Sequence, residues 1–114
     1  MILFEYLRKS RSDDPSEPVE VTLARHRRTL EEYAAKRGDV ISRVFEEVVS
    51  GESIIARPQM MAMLEAVEGG ECDGVLCMDI DRLGRGGMKD QGLILETFKY
   101  SSTLIVTPEK IYNL

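Results

Sequence analysis

Two arginines three residues apart, Arg82 and Arg85, close the stretch Gly74-Val-Leu-Cys-Met-Asp-Ile-Asp-Arg-Leu-Gly-Arg-Gly-Gly87. A guanidinium is permanently charged and presents a planar fork of N–H donors, so a pair at this spacing suits a phosphate. The apolar run before them, Val75 to Met78, fits a strand buried on both faces. In open α/β sheets, ligands bind where the strands run out at their carboxyl ends. On this stretch alone an ordinary solvated strand-to-helix turn accounts for the residues equally well. A second charged strand end tips the balance: Ile2 to Leu7 reads as a strand and runs into Tyr6-Leu-Arg8-Lys-Ser10. If that strand stays extended, Tyr6, Arg8 and Ser10 point to one side, because side chains alternate with period two. Arg57 closes a loop after a further apolar stretch. A serine hydroxyl needs activation to act as a nucleophile. Guanidiniums around a phosphorus would stabilise the negative charge that grows on its equatorial oxygens, without a metal. The chemistry in prospect is phosphoryl transfer.

The elements that must bring these residues together follow from periodicity. After the first strand, residues 11 to 21 hold two aspartates and two prolines with no periodic pattern, a loop long enough to suggest function. Thr22 is placed to cap a helix running to about Lys36, with Gly38 as its stop and Leu23, His26, Leu30 and Tyr33 on its buried face. His26, the single histidine, reads as a packing or hydrogen-bonding residue, since no carboxylate partner stands nearby in sequence. Asp13 and Asp14 read as residues that keep the loop soluble. Val40 to Val49 supplies a second strand, and the loop from Ser50 to Arg57 follows it. Pro58 opens a second helix with a stripe of Met60, Met61, Leu64 and Val67, ended by Gly69 and Gly70. Met88, Gln91, Leu95 and Phe98 mark a third helical face. Thr103 to Thr107 is the fourth strand, and Glu109 to Leu114 trails off. This β-α-β-α-β-α-β order predicts an α/β fold, a mainly parallel sheet with right-handed crossovers and helices on both faces. Parallel strands share a carboxyl edge, so Ser10, Arg8, Arg57, Asp81, Arg82 and Arg85 can converge there.

Composition narrows the function. The 114 residues make one domain, large enough for a core without staples. No apolar run approaches the roughly 20 residues that span a bilayer, and the N-terminus lacks the basic and apolar regions of a signal peptide. Cys72 and Cys77 would lie roughly 16 Å apart along a strand, beyond disulfide reach, which fits a reduced, cytoplasmic setting with Cys77 in the core. Neither a Cys/His metal pattern nor a nucleotide-binding glycine loop is present. The net charge of −5 argues against strong nucleic-acid binding by these residues alone.

Tyr6-Leu-Arg8-Lys-Ser10, Ser50-Gly51 with Arg57-Pro58, and Asp81-Arg82-Leu-Gly-Arg85 together resemble the catalytic domain of serine site-specific recombinases, the resolvase/invertase superfamily. Each motif is short; the three together are specific. The closing Val106-Thr-Pro-Glu-Lys-Ile-Tyr-Asn-Leu114 resembles the large subgroup, the integrases and transposases of phages and mobile elements. The resemblance covers nearly all 114 residues. It implies that Ser10 attacks a DNA phosphodiester to form a 5′-phosphoserine link and a free 3′ hydroxyl. By the same resemblance, Arg8, Arg57, Arg82 and Arg85 bind the scissile phosphate. Asp81 orients arginines or assists proton transfer, and Tyr6 and Ser50 lie at the edge of the site. It further implies a double-stranded DNA substrate, action as a dimer and tetramer, and no ATP or catalytic metal.

The chain departs from the family pattern in three places. His26 stands where a glutamine is common in the first helix, and Asn113 replaces an acidic residue. The long helix and DNA-binding domains of relatives are expected beyond Leu114, so residues 1–114 read as the catalytic domain of a longer protein. Two other readings of the chain stay open at the level of residues. A phosphate-accepting receiver domain shares the layout, but needs paired acids where this chain has Arg8, Lys9 and Ser10. A catalytically silent assembly domain would have no need of the serine and the arginines. Ser12 is a second candidate nucleophile, against which the Tyr-x-Arg-x-Ser spacing favours Ser10.

Overall fold

The first strand, β1 (Ile2–Arg8), is buried along nearly its whole length, as a parallel strand covered on both faces must be. The structure, a computed structural model, describes residues 1–10, 13–48, 57–84 and 88–114. After β1 come α1 (Val19–Arg37), β2 (Val40–Glu47), α2 (Pro58–Glu68), β3 (Gly74–Leu76), the single turn α3 (Asp81–Gly84), α4 (Met88–Tyr100), β4 (Leu104–Val106) and β5 (Ile111–Tyr112). The sheet order is β2-β1-β3-β4-β5. The first four strands are parallel, and β5 pairs antiparallel with β4. The α/β sheet with helices on both faces is therefore as the periodicity predicts. The segment expected to trail off instead returns as β5. Thr107 makes this turn: its N–H donates to the Lys110 carbonyl at 2.9 Å, and its hydroxyl accepts from the Lys110 N–H at 3.0 Å.

Alternation along β1 divides the core. Leu3 and Leu7 pack with Leu23, Leu30 and Ala34 of α1 on one face. Phe4 and Tyr6 pack on the other with Met60, Met63 and Val67 of α2 and with Ile94 and Phe98 of α4. Arg8 shares the parity of Phe4 and Tyr6. Gly74 marks a close approach within the sheet: a Cβ there would lie 3.1 Å from the Leu104 carbonyl oxygen and 3.2 Å from Leu3 Cδ2.

Four helical expectations need correction. α1 begins at Val19, with Thr22 inside the helix rather than capping it. Pro18, with φ fixed near −57°, supplies the entry, and the Thr22 hydroxyl donates to Glu17 Oε1 at 2.6 Å. Gly38 does end the helix, in the left-handed conformation at φ 77°. Tyr33 is only half-buried; Thr22 and Ala34 complete the inward face instead. In α2 the buried stripe is Met60, Met63, Leu64 and Val67, while Met61 is 49% exposed. A stripe at i, i+3, i+4 and i+7 leaves i+1 about 100° around the helix. For the same reason Leu95 of α4 is exposed, while Ile94, Thr97 and Phe98 face inward. Cys77 is buried and Cys72 half-buried, both as free thiols.

Candidate active site

β1, β2 and β3 are parallel and bring their carboxyl ends to one edge. Arg8 is the last residue of β1, Arg57 precedes the first turn of α2, and Arg82 lies in α3, just beyond β3. The structure brings these three together. All are buried, Arg57 completely. A helix of one turn has no internal partners for its carbonyls, so they are open to other donors. Arg8 Nε donates to the Arg82 carbonyl and Arg8 Nη2 to the Asp81 carbonyl, each at 2.9 Å. Arg57 Nη1 donates to the Leu83 carbonyl at 3.0 Å and reaches the Arg82 carbonyl at 3.5 Å. Arg82 Nη1 donates back to the Arg8 carbonyl at 3.1 Å. Three guanidiniums are thus laced together through the backbone of one turn.

Like charges held out of water repel, and the arginines register it. Burial lowers the pKa of Arg8, the guanidinium of Arg57 lowers it further, and Arg82 acts in the same direction. Arg82 differs because carboxylates reach it. Burial would lower its pKa, but Asp13 and Asp79 outweigh that and raise it. Arg82 Nε donates to Asp79 Oδ2 at 3.1 Å, and its two Nη groups donate to Asp13, with Nη2 to Oδ1 at 3.3 Å.

Asp13 is the principal surprise. Its side chain is 7% exposed, so it is no solubilising loop residue, whereas Asp14 is exposed as expected. Besides Arg82, Asp13 Oδ2 accepts the backbone N–H of Ser10 at 2.8 Å, and Oδ1 lies 3.4 Å from His26 Nε2. Burial acts to raise the Asp13 pKa, but the bonds from Arg82 and Ser10 hold it below the usual carboxylate range. His26 is buried on the inward face of α1 and does have a carboxylate neighbour, one that sequence proximity could not reveal. Burial, the main effect, outweighs the attraction of Asp13 and keeps the His26 pKa below its ordinary value.

Ser10 lies two residues beyond β1 and is half-buried, tied to Asp13 by the bond above and by the Asp13 N–H, which donates to the Ser10 carbonyl at 3.1 Å. Asp81 is exposed and meets Arg8 through its carbonyl, so the carboxylates on Arg82 are Asp13 and Asp79. Tyr6 is buried and donates its hydroxyl to Glu47 Oε1 at 3.2 Å; burial, with the negative charge of Glu47 second, raises its pKa. Glu47, at the end of β2, also accepts the N–H groups of Gln59 at 3.0 Å and Met60 at 3.2 Å. It thereby caps α2 from another element and fixes the helix end that carries Arg57. Ser12, Ser50 and Arg85 lie outside the described residues.

Of the groups that sequence reasoning missed, Asp79 carried a local signal, three residues before Arg82 on a turn. Asp13 and Glu47 carried none for their distant partners: Arg82 lies 69 residues from Asp13, and Tyr6 41 residues from Glu47. The arrangement is an acid-braced cluster of arginines beside a serine. It can receive an anion and stabilise charge that develops on it.

Comparison with known proteins shows the family and the fold. Residues 3–113 match the family model described as "Resolvase, N terminal domain". The C-terminal catalytic domain of ISC1926 TnpA, an IS607-like serine recombinase, is similar at 28% identity and a TM-score of 0.74, over 94% of this chain and 67% of that one. The N-terminal catalytic domain of TP901-1 integrase shares the fold at 19% identity and a TM-score of 0.75, over 96% of this chain and 78% of that one. The first open reading frame of transposon ISC1904 from Sulfolobus solfataricus P2 shares it at 24% identity and a TM-score of 0.63, over 93% and 64%.

Proposed function

Since this chain belongs to the family of resolvase N-terminal domains, we propose that it is the catalytic domain of a DNA recombinase that cuts and rejoins phosphodiesters through Ser10. The observation that carries this reading is the burial of Arg8, Arg57 and Arg82 on one turn of backbone, at the strand edge from which the Ser10 segment leaves. Burying guanidiniums together is unfavourable unless something anionic is to be met there.

The reaction balances without an outside reagent. Ser10 Oγ forms a bond to phosphorus and gives up its proton, the bond from phosphorus to the 3′ oxygen breaks, and that oxygen leaves as a hydroxyl. A 3′ hydroxyl then attacks the phosphoserine, restores the phosphodiester and returns the proton to Ser10. The arginines of the cluster, with Arg85 as the fourth, offset the charge on the equatorial oxygens in both directions. Asp81, exposed beside the cluster, relays a proton, and Tyr6 and Ser50 border the site. An acidic domain holds duplex DNA weakly, so we assign most of the affinity to further segments of a longer cytoplasmic protein that works as a dimer and tetramer. Among the described residues no helix is long and apolar enough to cross a membrane.

Ser10→Ala in the full-length recombinase tests the assignment. It should leave folding and DNA binding intact and abolish cleavage, whereas Ser12→Ala should keep activity. A suicide substrate, nicked so that religation fails, should trap the wild-type protein at a 5′ phosphate, with the adduct on Ser10. An adduct on Ser12, or efficient recombination by Ser10→Ala, would overturn the reading.

A further inference from the structure

Building on that reading, we propose that Asp13 is a positioning residue of the cleavage reaction. It is a carboxylate clip that holds the Ser10 segment against Arg82, with His26 bracing it from α1.

β1 ends at Arg8, so the sheet's ladder does not extend to Ser10. What reaches Ser10 from the next turn is Asp13. Its Oδ2 takes the Ser10 N–H at 2.8 Å and its own N–H donates to the Ser10 carbonyl at 3.1 Å. The same carboxylate receives both Nη groups of Arg82, from 69 residues further along the chain. One side chain therefore joins the nucleophile's backbone to a guanidinium of the cluster. The clip is buried: the side chains of Asp13, His26 and Arg82 are each less than a tenth exposed. Its surroundings restrict it further. Asp79 holds Arg82 Nε, fixing the plane of the fork, and His26 Nε2 stands 3.4 Å from Asp13 Oδ1. Lys9 Nζ donates to the Glu17 carbonyl, tying together residues on either side of Asp13.

The opposite role for a carboxylate here is that of a plug occupying the place of the phosphate on Arg82. The bonds to Ser10 favour the clip, since a plug would have no need of the nucleophile's own backbone. Geometry of this kind acts on rate: a displacement of about 1 Å between reacting groups can slow a reaction by about 10²-fold.

The test measures single-turnover formation of the phosphoserine adduct on a suicide substrate, by the full-length recombinase, across a range of DNA concentrations. Asp13→Asn keeps an acceptor for the Ser10 N–H and loses the charge on Arg82; Asp13→Ala loses both. At saturating DNA, Asp13→Ala should be slower than wild type by about 10²-fold or more, with Asp13→Asn between them and the half-saturating DNA concentration unchanged. His26→Gln, which keeps a polar group beside Asp13, should react faster than His26→Leu. Faster cleavage by either Asp13 variant would overturn the proposal in favour of a plug. A defect that saturating DNA restores would overturn it too. If Asp13→Ala fails to fold, Asp13→Asn decides alone. A wild-type protein that forms no adduct on Ser10 would sink the proposed function and the clip with it. A Ser10 adduct formed equally fast by wild type and Asp13→Asn would sink the clip alone.

Discussion

Glu5 is the least expected residue in the core, and replacing it should stabilise the protein in a pH-dependent way. It lies in β1 with the parity of Leu3 and Leu7 and is fully buried. Among the described residues neither of its carboxylate oxygens has a hydrogen-bond partner. Burial, reinforced by the negative charge of Glu31, raises its pKa from the ordinary 4.5 to about 7. Arg27 opposes the rise but is itself bound to Glu31 at 2.8 Å and Glu46 at 3.5 Å. The folded chain thus holds a proton that the unfolded chain releases. Below pH 4.5 both states are protonated and the contribution is fully present. As pH rises from 4.5 through about 7, stability is lost, and beyond that the loss is constant. The gap between 4.5 and about 7 corresponds to about 3 kcal/mol. Glu5→Gln removes the ionisable group at nearly constant shape. Urea unfolding of both proteins from pH 4 to 8 should therefore show the variant gaining on wild type by up to about 3 kcal/mol across that range. Glu5→Leu, which also removes the buried polar atoms, should be the more stable variant throughout. A stability difference between Glu5→Gln and wild type that does not change with pH would refute the reasoning. So would one that moves the other way, since it would mean that the ionised carboxylate has a partner in the folded chain.

Three further outcomes follow from the site and the sheet. Arg57→Lys keeps a charge but loses the planar guanidinium whose Nη1 reaches both the Leu83 and the Arg82 carbonyl. Cleavage by the full-length recombinase should slow by about 10²-fold or more, and a normal rate would remove Arg57 from the phosphate site. Glu47→Ala strips the α2 cap and leaves the Tyr6 hydroxyl without its acceptor. The expected loss is about 2–4 kcal/mol in chemical denaturation, and a loss below about 1 kcal/mol would contradict the capping role. Gly74→Ala drives a methyl to within 3.1 Å of the Leu104 carbonyl oxygen in the middle of the sheet. It should lower stability by about 1–3 kcal/mol, read as a fall in Tm, and an unchanged Tm would show that β3 and β4 separate easily.

The sequence by itself determined the layout. Apolar runs of period two and stripes of period 3.6 depend on residues a few positions apart, and they placed four strands, three of the helices and the parallel order. Parallel order in turn implied that the charged strand ends share an edge, which is how Arg8, Arg57 and Arg82 could be grouped before any coordinates. Errors of detail came from local ambiguity. Met60 and Met61 are equally apolar, and only the packing of α2 on the sheet turns one in and the other out. β5 was illegible because a two-residue strand is formed by its pairing with β4 and has no period of its own. The tertiary structure alone decided which acids hold the cluster. Asp81 is adjacent to Arg82 in sequence, yet it is exposed, while Asp13 reaches Arg82 from 69 residues away. Composition made Asp13, Asp14, Asp79 and Asp81 equivalent. What separates Asp13 from the others is burial beside a guanidinium, a property of the tertiary fold, and no pattern of neighbours along the chain encodes it.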